Sequence, residues 1–193
     1  MTITGEKQLA VEEENFRRFL SLADEILSLR QEFHDRLDEQ AGIFRDILRN
    51  KVLIGLHLKA LDSFACLLVD AREKRAECSH HLKTMAESFI YSHWVTHDDG
   101  ESRAKLLCAE GFRSRAAYHN SLGEEADAAK WRELQYQEID GLRPQWKKFT
   151  KAKLKDIAIQ AGVENHYHRV YKMACEAAHM GDARALLWLL LGA

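Results

Sequence analysis

The sequence contains one proline, Pro144, among 193 residues. Proline breaks helices because it lacks a backbone N–H and its ring clashes with the preceding turn. A chain almost without proline can therefore form long, uninterrupted helices. No stretch shows the alternation of apolar and polar residues that a half-buried strand requires. The pattern predicts an all-α protein, a single-domain helical bundle of about six to seven helices.

The longest predicted helix covers residues 6–40 and is amphipathic. Its apolar side chains recur at three- and four-residue steps, while its other face is rich in Glu, Arg and Asp. We therefore divide the chain into an N-terminal amphipathic helix (1–42), suited to oligomerisation, and a helical bundle domain (43–193). The apolar C-terminal run, residues 185–193, is about half the length of a membrane-spanning helix. It is expected to close the core or contact another subunit.

The remaining helices are predicted from apolar periodicity and from residues that start or end helices. They cover residues 43–70, 71–97, 101–121 and 124–143, a short helix that Thr150 caps, and a last helix that stops at Gly181. Pro144 is expected to end the helix that precedes it. Gly181 and Asp182 form a C-terminal break.

Composition excludes several classes of protein. The formal net charge of −2 gives no overall attraction to nucleic acid, although a local basic patch could still bind RNA. Four cysteines show no CxxC pairing, which indicates free thiols in a reducing cytoplasm. The N-terminus lacks a signal-peptide core, so we expect a cytoplasmic protein that does not bind membranes. Phosphate loops, dinucleotide fingerprints and hydrolase elbows are absent, and we predict no cofactor.

Two histidine patterns could bind a metal. Glu176-x-x-His179 is half of the signature that di-iron bundles use, but a second Glu-x-x-His is missing from the sequence. His93 and His97 lie one helical turn apart, without an obvious third ligand. We therefore predict no metal site, and keep a metal or small-molecule pocket that uses these residues as the weakest alternative.

The most unusual side chains lie on the predicted helix nearest the C-terminus. Tyr171, Cys175 and His179 fall four residues apart and form one stripe on an α-helix. A helix that only packs would prefer leucine, isoleucine or alanine at these positions. On another predicted helix, Lys83 and Glu87 lie one turn apart. If the two helices meet, these five side chains share one site.

Such a site could cleave RNA by metal-independent acid–base chemistry. His179 would give or take the proton, and Lys83 would neutralise a phosphate. Glu87 would orient the imidazole, and Tyr171 would donate a hydrogen bond. Alternatively, the same side chains form a buried polar network that fixes the register of the helices.

Arg113 and His119 form a second candidate pair for binding RNA. Their Arg-x5-His spacing fits the loose Arg-x4-6-His pattern of the HEPN ribonuclease superfamily. The pattern is short and arginine is common in helices, so chance matches are frequent. We rank this pair below the cluster that contains His179.

Two runs, LKTMAESFIYSHWV (82–95) and YKMACEAAHMGD (171–182), resemble a widespread bacterial and archaeal family of unknown function. In that family an Arg-x3-Glu helix precedes a helix that reads Tyr-x3-Ser-x3-His. The resemblance covers roughly residues 45–185. It implies a HEPN-like helical architecture and a bacterial defence or toxin–antitoxin setting.

The chain departs from that family at two site positions. Glu87, Tyr171 and His179 match, but Lys83 stands where the family has Arg, and Cys175 where it has Ser. Lysine keeps the charge but lacks the planar fork of arginine. The first hypothesis is therefore a non-catalytic interaction or scaffold protein with a protein partner or a second copy of itself. The alternative is a metal-independent ribonuclease.

Overall fold

The computed structural model describes residues 5–44, 47–73, 78–97 and 99–180. Within these ranges the secondary structure is helical and contains no strand, so the all-α prediction is confirmed. The helices are α1 (Gly5–Phe44), α2 (Leu48–Arg72), α3 (Cys78–Val95), α4 (Gly100–Ser121), α5 (Glu125–Glu138), α6 (Arg143–Phe149), α7 (Leu154–Gln160), α8 (Glu164–His166) and α9 (Lys172–Met180). A π-helical turn (Tyr167–Tyr171) makes α8 and α9 one continuous stretch.

The described residues thus form slightly more helices than predicted, and the difference lies around Pro144. The predicted helix 124–143 ends early, and the chain turns at Gly141, whose φ of 73° suits glycine. Pro144 then occupies the first turn of α6. The prediction that Pro144 ends a helix is wrong, because the N–H groups of a first turn have no acceptor within the helix, so proline is tolerated there.

Thr150 also has a different place from the one predicted. It lies at the C-terminal end of α6 rather than at the start of the next helix. The residue that precedes α7 is Lys153, whose backbone N–H donates to the carboxylate of Asp156 at 2.9 Å. A carboxylate in the first turn satisfies this otherwise unpaired donor.

The chain divides into two compact units, and unit 1 consists of the described parts of 1–41, 58–87 and 168–193. Its core is formed by the second half of α2 and the start of α3. The core residues are Leu67 and Cys78, packed against Phe64, Ala71, Leu82 and Met85. α1 joins this unit through buried Ala23 and through two ion pairs, Arg30 with Asp62 and Arg72 with Asp24.

Unit 2 consists of the described parts of 42–57 and 88–167. Alanine recurs at its buried positions on α4 and α5, which allows helix backbones to approach closely. Phe112 stacks on Trp131 across these two helices, with ring centres 5.7 Å apart. Arg49 at the start of α2 is tied to this unit, because its backbone N–H donates to Glu101 at 3.1 Å.

α2 is a long helix with many apolar residues. By length and composition alone it could cross a membrane, since its most apolar 18-residue window has a mean hydropathy of 1.8. Core helices of soluble proteins reach the same value, so hydropathy does not distinguish a membrane-spanning helix from a core helix. Only 11% of that window is buried, which leaves apolar surface on α2 partly uncovered.

Candidate functional site

Four of the predicted site residues lie together in unit 1. Lys83 and Glu87 occupy successive turns of α3, Tyr171 ends the π-helical turn, and Cys175 follows one turn later on α9. The ammonium nitrogen Nζ of Lys83 lies 5.9 Å from the centre of the Tyr171 ring. All four side chains are half-buried. Within each helix the two residues lie four positions apart and so share a face. The cluster forms where α3 contacts the helical stretch that contains Tyr171 and Cys175.

Tyr171 is the centre of the cluster. Its side chain interacts with those of both Cys175 and Glu87. A carboxylate only accepts hydrogen bonds, so in any hydrogen bond between the two the phenol O–H is the donor. Burial, the contact with Cys175 and the negative charge of Glu87 together raise the pKa of Tyr171 well above its usual range. The phenol therefore stays protonated and acts as a donor, not as a base.

The π-helical turn positions Tyr171. A π-turn inserts extra backbone into a helix and rotates the residues before it relative to those after it. Tyr171 is its last residue, and the regular helix α9 begins at Lys172. The stripe of Tyr171 and Cys175 therefore follows ordinary α-helical spacing, as the sequence pattern indicates. The backbone of His179 continues on α9, but its side chain lies outside the described residues, so its meeting with Glu87 stays a prediction.

Arg113 and His119 each bind a different carboxylate. Arg113 forms a two-pronged ion pair with Glu110 on α4, at 2.9 and 2.5 Å. His119 contacts a different carboxylate, with its Nδ1 2.6 Å from Glu124. Hydrogen bonding to Glu110 raises the pKa of Arg113, which confirms only that its guanidinium is charged and engaged.

Potential metal ligands converge at one place among the described residues. One ligand atom each from His119, Glu124 and Asp127 lies within 4.8 Å of the others. The two carboxylates are exposed, and Glu124 already pairs with the imidazole. Such a cluster has the properties of a surface ion pair, and exposed acidic groups of this kind are common without a metal.

The residues of the weakest alternative are placed elsewhere. The ring of His93 packs against Phe89, with centres 4.4 Å apart, and His97 is exposed. Glu176 lies on α9 and pairs with Lys172 at 3.8 Å. None of these three belongs to the group of converging ligands in the described part of the chain.

The sequence analysis missed a cavity in unit 2. It has a volume of about 190 Å³ and is lined by aromatic, polar and charged side chains. Trp94 and Phe149 form its aromatic wall and stack nearly parallel, 5.3 Å between centres. The guanidinium of Arg103 lies over the Trp94 ring and forms an ion pair with Asp99 at 2.7 Å. In the sequence, the feature that could have indicated this cavity is the run of cations around Trp146 and Phe149 on α6.

Comparison with known proteins gives one result about the family. The sequence profile of DUF5677, described as a family of unknown function, matches residues 50–188. The match covers the described parts of α3 and α9, and so the four clustered side chains. No curated protein and no solved structure matches the chain significantly.

Proposed function

Because the chain belongs to DUF5677, a family of unknown function, we propose its function from its own geometry. It is a non-catalytic helical interaction protein that pairs with a second copy of itself through α1. The exposed apolar seam on α1 carries this proposal. Leu22, Ile26 and Leu29 are 56%, 38% and 58% exposed, although all three are large apolar residues.

The spacing of the seam selects another helix as its partner. Leu22, Ile26 and Leu29 are separated by four and three residues, and Phe19 and Phe33 continue this alternation in the sequence. Alternating steps of three and four residues are the repeat by which helices pair in coiled coils. The seam is separate from the inner face of α1, where Ala23 is buried. α1 can therefore pack into unit 1 and pair with a second helix at once.

The charges beside the seam favour a parallel pair of identical helices. Glu25 and Arg30 lie at the positions that flank such a seam, five residues apart. In a parallel pair, Glu25 of one copy lies opposite Arg30 of the other. Arg30 also pairs with Asp62 within its own chain, yet its side chain remains 38% exposed.

The polar cluster has a structural role in this proposal. A protonated, half-buried phenol beside the carboxylate of Glu87 links the π-helical turn before α9 to α3 and fixes their register. Lys83 adds its charge beside the same ring. The cytoplasmic location and the bacterial defence or toxin–antitoxin setting, which the family resemblance implied, remain predictions.

Sedimentation equilibrium tests the pairing. We expect the wild-type protein to be a dimer at micromolar concentration and the Leu22→Glu/Leu29→Glu variant to be a monomer with an unchanged circular dichroism spectrum. Leu122→Glu is the matched control, because Leu122 is 54% exposed outside the seam and its variant should stay dimeric. A monomeric wild type contradicts the proposal.

A second candidate function is a HEPN-like, metal-independent ribonuclease with His179 as general acid or base. The convergence of a cation, a carboxylate and a phenol at Lys83, Glu87 and Tyr171 favours it, because His179 follows two turns beyond Tyr171 on the same helix. Labelled RNA incubated with wild type and with His179→Ala tests it. Cleavage by wild type alone supports the ribonuclease. If neither cleaves and His179→Ala melts several degrees lower, the residue is structural.

A further inference from the structure

The charge of the chain is unevenly distributed, and its most basic stretch lies in unit 2. Residues 143–155 hold six of the 28 lysines and arginines and none of the 30 carboxylates. Lys155 pairs with Glu164 at 3.5 Å. The other five cations are exposed, and among the described residues none of them is ion-paired: Arg143, Lys147, Lys148, Lys151 and Lys153. We call these five residues the basic surface.

The basic surface borders the cavity of unit 2, because Lys148 and Phe149 belong to the wall of that cavity. A volume of about 190 Å³ exceeds the roughly 150 Å³ that accommodates benzene in an engineered cavity. It is smaller than the roughly 300 Å³ at which pockets for drug-sized ligands begin. The volume of the cavity therefore matches that of one planar ring.

The wall of the cavity can hold such a ring by two kinds of contact. Phe149 supplies an aromatic surface, backed by the buried Trp94 that stacks on it and whose indole N–H donates to Gln160 at 3.0 Å. Ser102 and Gln145 add side chains that can donate and accept hydrogen bonds. Aromatic contact with hydrogen bonds at the ring edge is how proteins bind an unpaired nucleobase.

We propose that this surface binds single-stranded nucleic acid. One base enters the cavity, and the adjoining phosphates contact the basic surface. Single strands suit the site because their bases are free to leave the strand, whereas a duplex holds them paired and stacked. An acidic protein would match the positive charge of the basic surface. It lacks the regular pairing of a negative charge and a planar ring that each nucleotide provides. This site is independent of α1 and of Tyr171.

Fluorescence anisotropy of labelled oligonucleotides with the full chain tests the proposal. Mixed-sequence single-stranded RNA and single-stranded DNA are compared with the duplex and with polyglutamate. We expect the single strands to bind at least about tenfold more tightly than either competitor, since only they combine phosphates with free bases. Comparing the affinities for single-stranded RNA and single-stranded DNA identifies which nucleic acid the site prefers.

Two variants separate charge from base insertion. In the Lys147→Gln/Lys151→Gln variant two phosphate contacts are lost. The negative slope of log K against log salt should therefore become less steep by about 1.4. Lys130→Gln is its control, since Lys130 is exposed on α5 outside the basic surface. Ala152→Phe fills the cavity and should weaken binding about tenfold while it leaves the salt slope unchanged.

Helical content by circular dichroism confirms that each variant is folded. If Ala152→Phe does not fold, Ser102→Leu narrows the cavity from another wall. The proposal is overturned if no oligonucleotide binds, if duplex or polyglutamate binds as tightly as single strands, or if the folded cavity variant binds like wild type.

Discussion

The ammonium group of Lys83 lies over the ring of Tyr171, 5.9 Å from its centre, while the negative charge of Glu87 acts on the hydroxyl of the same ring. One phenol on the last described stretch of helix is thus contacted by two residues from successive turns of α3. Residues 83 and 171 are far apart in sequence, so this contact closes a long loop. We expect its loss to affect unit 1 as a whole.

Tyr171→Phe tests the hydroxyl without changing the ring. The variant removes the hydroxyl that can donate to the half-buried carboxylate of Glu87. Loss of a partner to a partly buried charged group costs about 1–3 kcal/mol. We expect the free energy of unfolding, measured by urea denaturation, to fall by an amount in this range.

Tyr118→Phe is the control for that measurement. Tyr118 is 62% exposed on α4, and a change at such a surface position alters stability by less than about 0.5 kcal/mol. If the two variants are equally stable, the interaction of the Tyr171 hydroxyl with Glu87 does not support the fold.

The raised pKa of Tyr171 predicts how stability depends on alkaline pH. The unfolded chain loses the phenolic proton near pH 10, whereas the folded protein keeps it to higher pH. The stabilisation from Tyr171 is therefore complete below about pH 10 and declines above it as the pH approaches the folded pKa. We expect the difference in unfolding free energy between wild type and Tyr171→Phe to shrink over that range. A difference that grows with pH would contradict the assignment.

Cys175 lies where the sequence analysis expects a serine, and this expectation suggests a pair of substitutions. A hydroxyl is a stronger hydrogen-bond partner for the Tyr171 phenol than a thiol. Cys175→Ser should therefore match the wild type in stability or exceed it by up to about 1 kcal/mol. Cys175→Val keeps the size but removes the polar partner, and should lower stability by about 1 kcal/mol. Thermal unfolding of both variants under reducing conditions measures the effect; a more stable valine variant would contradict it.

The helical class and the partners within each helix could be predicted from sequence, because both depend on residues three or four apart. Lys83 with Glu87 and Tyr171 with Cys175 are such partners. That α3 and α9 meet could only be postulated, since spacing along one helix contains no information about its neighbours. The family resemblance supplied this part, by joining the two motifs in one pattern.

The errors arose where one residue permits two local structures. Proline is unfavourable inside a helix but tolerated in its first turn, so Pro144 alone could not decide between an end and a beginning. The cavity escaped prediction for a different reason. Trp94, Arg103 and Phe149 come from three helices, and no spacing relates them. Arg113 and His119 each bind a carboxylate of their own, and their role in binding RNA remains a prediction.

The two glycines of α4 provide a matched test of local packing. A Cβ at Gly100 would lie 2.1 Å from the backbone carbonyl oxygen of Val95, which cannot rotate away. Gly100→Ala should therefore cost about 1–3 kcal/mol, as overpacking does. Gly111 has no atom within 4 Å of the same position, so Gly111→Ala should stabilise α4 by about 0.5–1 kcal/mol through better helix propensity. Urea denaturation of both variants should give effects of opposite sign. Equal effects would show that the start of α4 is not packed against Val95 in solution.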